Sequence, residues 1–526
     1  MKACPALYLP LLITSCFTGN AIAQEDGSHH LWTWRGRAEF NKISSIADQD
    51  GDGVRDLIFG HPVTGGGGSY FEPYVGIFSG RTGLTIREMV TPDGLKSFGK
   101  GVGDAGDVNG DGIDDFMVSA PGGDGFVFVF SGADQQIIHR FVSKFSGQHI
   151  GNRVGGVGDV DGDGLADIAF SGGGVFVFSG ATARFLYRLP DGQFRRAGDL
   201  DMDGIDDIVV GYPKAAPSGV QTGEVVAYSG IDGSPLWQTF GPWADSSFAS
   251  SIAMIGDVTG DGASDVIVGA HQLDYERGAI CLLDGANGQI FERKFGHRKT
   301  DKFGVSVAGP GDMNGDGIPD YVVGAKQRRV DHDKMGGYVE FYSGQDHRLF
   351  LKLRGKKKHN FGLALTSPGD IDNDGLADIL IGKFAEEMFA FSYNPYFLAD
   401  AESISISGTR PIQFLLRFPY SEAGRDYRIL ASYSGTGPTL VNGFEIPLTL
   451  DEALLAGLNG QLPPGSVHFA GKLNGNAKAF AQWSASSFLA PWVGQSFQLA
   501  AVSCDTIGPV WIGRIASAPI TLEILP

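Results

Sequence analysis

A nine-residue aspartate pattern recurs seven times and places oxygen ligands at regular spacing. Its form is Asp-x-(Asp/Asn/Thr)-x-Asp-Gly-x-x-Asp, and successive copies begin 40 to 59 residues apart. Side-chain oxygens at positions 1, 3, 5 and 9 can converge on one cation, and position 7 can add a backbone carbonyl. The candidate ligands are Asp48, Asp50, Asp52 and Asp56; Asp107, Asn109, Asp111 and Asp115; Asp159, Asp161, Asp163 and Asp167; Asp199, Asp201, Asp203 and Asp207; Asp257, Thr259, Asp261 and Asp265; Asp312, Asn314, Asp316 and Asp320; Asp370, Asp372, Asp374 and Asp378.

The spacing favours calcium, with up to seven structural ions. Calcium takes six to eight oxygen ligands, whereas magnesium prefers to keep several waters. Position 12 is apolar in every copy, as at Phe59 and Val118, so the loops lack the closing glutamate of an EF-hand. Metal-free acidic turns are the alternative, but three or four uncompensated carboxylates in one loop would repel one another. The fifth site is expected to be the weakest, because Thr259 replaces a carboxylate or amide there.

Short strands must position these loops. An apolar run follows each copy, for example Ile208-Val209-Val210, and β-branched residues of this kind favour strands. Most repeats then carry a second run ending in Ser-Gly, such as 127–132, and a third such as 349–353. A Phe-Gly pair or a relative leads into the next copy, as at Phe98-Gly99. Each unit is therefore predicted to be about four antiparallel strands, which is a propeller blade.

These features resemble the FG-GAP repeats of the integrin α-subunit propeller and its bacterial relatives. The Phe-Gly pairs, the aspartate pattern and the turns at Gly269-Ala270 and Gly324-Ala325 carry the resemblance, which covers roughly residues 31–395. It implies an all-β chain containing a seven-bladed β-propeller with calcium-binding hairpin loops. It also implies that aspartate at position 9 supplies the closing ligand. The copy at Asp199 departs most, because Gln193-Phe194-Arg195 replaces the Phe-Gly lead.

The two ends of the repeat region are expected to pair. Leu31 to Trp34 forms a strand-like run before the first copy, and no fourth strand is evident after Phe389 to Phe391. We therefore predict that residues 31–35 complete the seventh blade, which would remove open sheet edges.

Residues 397–526 contain no aspartate copy. Strand-like runs such as 412–418 and 497–502 alternate with turns, and 449–458 could be one short helix. The prediction is a small C-terminal β-sandwich-like accessory domain.

The N-terminal residues 1–23 have the pattern of a signal peptide. An apolar run from Ala6 to Phe17 precedes Ala21-Ile22-Ala23, which predicts cleavage before Gln24 and a secreted or cell-surface protein. The alternative is a lipobox ending at Cys16, which would leave a lipid-anchored, periplasmic or surface protein. No further apolar stretch reaches transmembrane length. Cys281 and Cys504 are expected to be buried free thiols.

The charge distribution bears on partners. The net charge of −19 argues against nucleic acid as a partner. Basic residues nevertheless outnumber acidic ones between 293 and 358, on connections that strand order places opposite the aspartate loops. The candidate ligand patch is Arg298, Lys299, Arg328, Arg329, Lys356, Lys357 and Lys358. It would bind an anionic protein or glycan, and solvated loops without a ligand are the alternative.

Two classes of function remain open from sequence alone. The first is a calcium-stabilised binding or adhesion module for a protein or glycan ligand; in a lectin variant, Tyr70, Phe71, Trp237 and Trp243 would stack on sugars. The second is a carbohydrate-active lyase or hydrolase on a propeller scaffold. No Gly-x-Ser-x-Gly nucleophile elbow is found in a strand-turn-helix setting, and no catalytic or cofactor-binding residue is assigned.

Overall fold

The computed structural model has an all-β architecture. The residues it describes are 22–23, 28–35, 43–62, 73–91, 94–95, 97–123, 125–143, 149–217, 219–327, 336–355, 360–372, 376–382, 387–393, 396–399, 403–408, 410–418, 422–435, 439–441, 444–475, 477–484, 487–507, 510–517 and 520–526.

Seven four-stranded antiparallel sheets follow one another within the described part of residues 28–393. Six are built from consecutive strands, and the seventh takes its fourth strand from the start of the chain. The strands are, for sheet 1, β3 (Ile43–Ile46), β4 (Asp56–His61), β5 (Tyr74–Phe78) and β6 (Thr85–Val90); sheet 2, β7 (Val102–Gly106), β8 (Asp115–Ala120), β9 (Phe126–Phe130) and β10 (Ile137–Val142); sheet 3, β11 (Val154–Gly158), β12 (Asp167–Ser171), β13 (Val175–Phe178) and β14 (Phe185–Leu189); sheet 4, β15 (Gln193–Gly198), β16 (Asp207–Tyr212), β17 (Glu224–Tyr228) and β18 (Pro235–Phe240); sheet 5, β19 (Phe248–Met254), β20 (Val266–Ala270), β21 (Ala279–Leu283) and β22 (Ile290–Phe295); sheet 6, β23 (Phe303–Gly311), β24 (Asp320–Ala325), β25 (Tyr338–Tyr342) and β26 (Leu349–Gly355); and sheet 7, β27 (Ala364–Gly369), β28 (Asp378–Gly382), β29 (Glu387–Tyr393) and β2 (Ser28–Arg35).

The first strands of these sheets form a closed ring of contacts. Along the chain β3 contacts β7, β7 contacts β11, and the series continues through β15, β19 and β23 to β27, which contacts β3. Each sheet therefore has a neighbour on both sides. This arrangement of repeated four-stranded sheets is consistent with a β-propeller.

Burial follows from that arrangement. The second strands are mainly apolar after the aspartate at position 9, and β8 and β20 are buried at every position. Both faces of such a strand pack against the neighbouring sheets, so no polar alternation is needed. The fourth strands lie outermost, and β6 and β10 expose about every second side chain. The hydrophobic core is accordingly a series of clusters between adjacent sheets.

The predicted pairing of the two ends of the repeat region is confirmed. Strand β2 pairs antiparallel with β29, with Thr33 opposite Phe389 and Trp34 opposite Met388. The Trp34 ring stacks on Phe59 of sheet 1 at 5.3 Å between ring centroids, which fastens the closing strand to the next sheet. The sequence analysis did not identify β3, the first strand of sheet 1, because Ile43-Ser-Ser-Ile46 has only two apolar residues.

The predicted signal peptide, residues 1–23, lies largely outside the described ranges. Ile22 and Ala23 are described, as a two-residue strand β1 (Ile22–Ala23) that pairs with β26 at the edge of sheet 6.

The C-terminal part of the chain forms two larger sheets and a hairpin. The first sheet contains, in order, β30 (Phe397–Ala399), β32 (Ile412–Arg417), β38 (Lys478–Trp483) and β36 (Ser466–Val467). The second contains β31 (Ser403–Ser405), β41 (Ile520–Leu525), β39 (Ser496–Ile507), β33 (Asp426–Ser432) and β37 (Ala470–Lys472), and β40 (Val510–Ala516) also pairs with β39. The hairpin is β34 (Thr439–Val441) with β35 (Phe444–Ile446). Phe414 and Trp483 from the first sheet and Ile429 and Leu499 from the second share one buried cluster.

Helical structure is scarce among the described residues. The predicted helix at 449–458 is observed as α2 (Glu452–Leu458), and the Asp451 side chain caps it by accepting the Leu454 N–H. The other helical pieces are the four-residue turn α1 (Leu273–Glu276) and a 3-10 segment, Ser487–Trp492. No helix in the described part of the chain is long and apolar enough to cross a membrane. Cys281 and Cys504 are buried free thiols, as predicted.

Candidate metal centres

In each of the seven sheets, an aspartate loop joins the first strand to the second. In the second loop, Asp107 Oδ1 accepts the Gly110 N–H at 2.7 Å and Asp107 Oδ2 accepts the Gly112 N–H at 2.9 Å. Asp111 Oδ1 accepts the Ile113 N–H at 2.9 Å. The corresponding bonds to the first aspartate recur in the first, third, fifth and sixth loops. The carboxylates are therefore held in place by local backbone donors.

Two positions of the loop adopt the left-handed conformation. The glycine at position 6 has positive φ in the first six loops, for example +85° at Gly112. Position 4 is also glycine with positive φ in five loops, but the fourth loop has Met202 there, at φ +63°. A side chain in that conformation costs about 1–2 kcal/mol, so this loop carries strain that the five loops with glycine at position 4 avoid.

The aspartate at position 9 links the loop to a second turn of the same sheet. In the second loop, Asp115 Oδ2 accepts the Val108 N–H at 3.0 Å and Oδ1 accepts the Gly132 N–H at 2.9 Å. Gly132 belongs to the Ser-Gly turn between the third and fourth strands. The same pair of bonds is made by Asp56, Asp167, Asp207, Asp265 and Asp320. Both turns therefore lie at the same end of each of these six sheets.

Burial perturbs these position 9 carboxyls. All are fully buried, and this desolvation raises the pKa of Asp56 and Asp320 to about 7 and of Asp115, Asp167 and Asp207 to about 6. Nearby loop carboxylates add to the increase, and the two backbone donors oppose it. At position 1 of the first loop, burial also acts to raise the pKa of Asp48, but backbone N–H groups, led by that of Gly53, outweigh it and the pKa is lowered.

In four loops, three carboxylate oxygens come within 4.8 Å of one another. The groups are Asp48, Asp50 and Asp56; Asp159, Asp161 and Asp167; Asp199, Asp201 and Asp203; and Asp370, Asp372 and Asp378. These are the loops with aspartate at position 3. Such a cluster offers only hard oxygen donors, at a separation that one cation could bridge, and so fits calcium.

The remaining loops differ at position 3. Asn314 Nδ2 donates to Asp320 Oδ1 at 2.9 Å, so its amide would have to turn to present oxygen to a cation. In the second loop Asn109 Nδ2 donates to Asp111 Oδ2 at 2.9 Å. In the fifth loop Thr259 Oγ1 lies 3.5 Å from both Asp257 Oδ1 and Asp265 Oδ1. In the seventh loop, Asp374 lies outside the described residues.

The Ser-Gly turn is the feature of these centres that the sequence analysis missed. Ser-Gly was recognised as a strand ending, but not as the donor to the aspartate at position 9. The recurrence of Ser-Gly in register with the aspartate copies was the available signal.

Only part of the basic patch can be located. Arg298 and Lys299 are exposed in the connection between sheets 5 and 6, and Lys299 Nζ lies 4.2 Å from the centroid of the Tyr275 ring. Asp301 joins this connection to the one between β24 and β25. Its Oδ2 accepts a hydrogen bond from the Arg298 N–H, and its Oδ1 accepts one from Gln327 Nε2 at 2.9 Å. Arg328, Arg329, Lys356, Lys357 and Lys358 lie outside the described residues.

The aromatic side chains considered for stacking on sugars serve packing where they are described. Trp237 and Trp243 both pack against the core cluster between sheets 4 and 5. Trp237 also donates its indole N–H to the Gly285 carbonyl, and Trp243 contacts Phe295 edge to face. Tyr70 and Phe71 lie outside the described residues.

Comparisons with known proteins find integrin α chains. Over 207 residues the chain is 30% identical to integrin alpha-V of Gallus gallus, an alignment covering 36% of this chain and 19% of that protein. This chain is similar to integrin α chains. Integrin alpha-5 of Xenopus laevis is 26% identical over 232 residues, and integrin alpha pat-2 of Caenorhabditis elegans is 30% identical over 225 residues. These alignments cover 42% and 37% of this chain and 19% and 18% of the integrins.

The chain therefore spans about a fifth of the length of the integrin α chains it matches. No family model matches it. Among solved structures, BBS1N in complex with ARL6DN aligns with a TM-score of 0.49 at 10% identity, covering 70% of this chain and 98% of that chain.

Proposed function

We propose that this chain is a secreted or cell-surface binding module whose seven-bladed propeller is stabilised by calcium. The supporting observation is the closed ring of four-stranded sheets, each with an aspartate loop at the same end, in a chain similar to integrin α chains. The propeller comprises residues 31–395, and residues 397–526 are a β-sandwich-like accessory domain. The signal peptide ends at residue 23.

Calcium has a structural role in this proposal. Each ion is held by the oxygens at positions 1, 3, 5 and 9 of its loop and neutralises carboxylates that otherwise repel one another. Because the position 9 aspartate also bonds the Ser-Gly turn, the ion fastens both turns at one end of the sheet. The proposal assigns no catalytic step to the ions.

The ligand is bound at the opposite end of the sheets, by the basic patch. Connections from the second strand to the third, and from one sheet to the next, emerge there because strand directions alternate. The contact of Asp301 with Gln327 supports this placement, because it brings two connections of sheets 5 and 6 together. Arg298 and Lys299, with the residues of the patch that lie outside the described ranges, would attract an anionic protein or glycan.

Binding to immobilised heparin tests this proposal, with the calcium-loaded chain over a range of salt concentrations. We expect retention that falls with salt. The Lys356→Ser, Lys357→Ser, Lys358→Ser triple variant should weaken it and flatten its salt dependence. Lys214→Ser with Lys478→Ser is the control, since both lysines are exposed and lie outside the patch. Salt-independent retention, or an unchanged triple variant, contradicts the proposal. Release of sugar fragments would instead support the alternative, a carbohydrate-active enzyme.

A further inference from the structure

The fourth strand of several sheets carries a side chain that reaches the Ser-Gly turn, or its equivalent, of the next sheet. This residue follows a register shift in the strand, as Trp237 does where it pairs with Ala227. Its ring nitrogen hydrogen-bonds the carbonyl oxygen of the turn glycine. The three examples are Trp32 with Gly80 at 2.9 Å, His139 with Gly180 at 2.6 Å, and Trp237 with Gly285 at 2.7 Å. The side chain thus closes the groove between two sheets.

Tyr187 occupies the same position between sheets 3 and 4, but does not complete the contact. It pairs with Val177 beside the equivalent register shift, and its ring lies against Gly233, as Trp237 lies against Gly288. Its hydroxyl oxygen is buried, however, and has no hydrogen-bond partner among the described residues. A buried hydroxyl without a partner costs about 1–3 kcal/mol. The junction therefore contains an unused hydrogen-bond donor.

A cavity of about 540 Å³ opens at this junction. Its walls come from both sheets: Leu186 and Tyr187 from sheet 3, and Ile205 and Ile231 from sheet 4. Ile231 is 60% exposed and contributes apolar surface to the cavity wall. The volume is within the range of sites for small molecules.

Charges of both signs line the cavity. Arg184 stands on the side of sheet 3 and Asp232 on the side of sheet 4. The Arg184 side chain is 72% exposed, and its guanidinium contacts Asp161 Oδ2 at 3.8 Å. Asp161 is a candidate calcium ligand in the third loop, so an ion bound there would compete with Arg184 for the Asp161 carboxylate. A ligand would therefore find one available cation, one available anion and an apolar wall.

We propose that this cavity binds a small zwitterion with an apolar side group, such as a free hydrophobic amino acid. The carboxylate pairs with Arg184, and the ammonium group pairs with Asp232. The apolar group packs on Leu186, Ile205 and Ile231. The site lies at the end of the sheets that carries the aspartate loops, and does not depend on the proposed basic patch.

Three probes with the same phenyl ring test the charge requirement. They are L-phenylalanine, 3-phenylpropionate, which lacks the ammonium group, and phenethylamine, which lacks the carboxylate. Titration calorimetry with the full calcium-loaded chain should show L-phenylalanine binding, and each analogue binding about tenfold more weakly or worse, because each loses a charge-assisted bond. Absence of binding, or equal affinity for all three, overturns the proposal.

Substitutions then assign the contacts. Arg184→Gln should weaken L-phenylalanine and leave phenethylamine unchanged, whereas Asp232→Asn should weaken L-phenylalanine and leave 3-phenylpropionate unchanged. Arg188→Gln is the matched control, because Arg188 lies four residues after Arg184, on β14, and does not line the cavity. Ile231→Ser should weaken binding of all three probes to a similar extent, because it removes part of the apolar wall on which the phenyl ring packs, and the protein should stay folded because Ile231 is 60% exposed. Unchanged binding in Ile231→Ser would overturn the proposal.

Discussion

The indole Nε1 of Trp237 donates a hydrogen bond to the carbonyl oxygen of Gly285 at 2.7 Å and thereby joins sheet 4 to sheet 5. The Trp237 ring also lies so close to Gly288 that a β-carbon there would come within 2.5 Å of it. The absence of a side chain at Gly288 is thus part of the contact. Adjacent sheets are held together by specific bonds as well as by apolar packing.

Trp237→Phe should destabilise the protein by about 1–3 kcal/mol, because it leaves the Gly285 carbonyl without this donor and removes part of the ring. Denaturant unfolding measures the loss. Gly288→Ala should also destabilise, through the steric clash, and an unchanged midpoint in both variants would show that the contact contributes little.

Removal of calcium should lower the melting temperature of the chain. Each site that binds only the folded state adds ~2.7 kcal/mol when calcium is present at a hundredfold excess over its dissociation constant. Scanning calorimetry in millimolar calcium and in chelator gives the comparison, with magnesium as the control ion. Identical melting curves in calcium and chelator would contradict the assignment of the loops as metal centres.

Asp115 and Asp111 should respond differently to substitution by asparagine. Asp115→Asn places an amide N–H₂ beside the Val108 or Gly132 N–H, so it should destabilise the metal-free protein by about 1–3 kcal/mol. Asp111→Asn keeps an acceptor for Ile113 and loses only the exposed bond from Asn109 Nδ2, so it should lower stability mainly when calcium is present. Equal losses of stability in Asp115→Asn and Asp111→Asn when chelator is present would show that position 9 has no role separate from metal binding.

The metal-free protein should lose stability as pH rises from about 5 to about 8. The pKa values of Asp56 and Asp320 are raised to about 7 and that of Asp115 to about 6, so the fold favours their protonated forms. The stability that protonation provides is complete below the ordinary aspartate pKa and is lost as pH rises through the raised values. Calcium binds the ionised carboxylates, so saturating calcium should reduce or reverse this slope. Melting temperatures in chelator that rise with pH would be inconsistent with the buried carboxyls.

Met202→Gly should stabilise the protein, against the usual effect of introducing glycine. Met202 has φ +63° at a loop position that is glycine in five other copies. Relief of about 1–2 kcal/mol of strain is partly offset by the greater freedom of glycine in the unfolded chain, which leaves a gain of up to about 1 kcal/mol. Thermal unfolding measures it, and Met202→Ala is the control that keeps the strain. A destabilised glycine variant would show that the methionine side chain has a stabilising contact.

Much of the fold could be predicted from local pattern. The seven aspartate copies and the apolar runs that follow them correspond to the loops and second strands of the seven sheets. The pairing of residues 31–35 with β29 was predictable because a sheet with a missing strand needs one from elsewhere in the chain. Strand β3 was missed because its neighbours, and not its own composition, determine that it is a strand.

The sequence by itself determined the identity and spacing of the oxygen donors, the strand periodicity and the glycines that permit positive φ, because these depend on residue type and local geometry. Only the tertiary structure decided what each residue contacts across sheets. It bonds Asp115 to a glycine 17 residues away, raises the pKa of that carboxyl by burial, and gives Trp237 a packing role between sheets. It also leaves Tyr187 beside a cavity where Trp237 fills the equivalent groove. Such contacts depend on which residues two neighbouring sheets bring together, which no local pattern encodes.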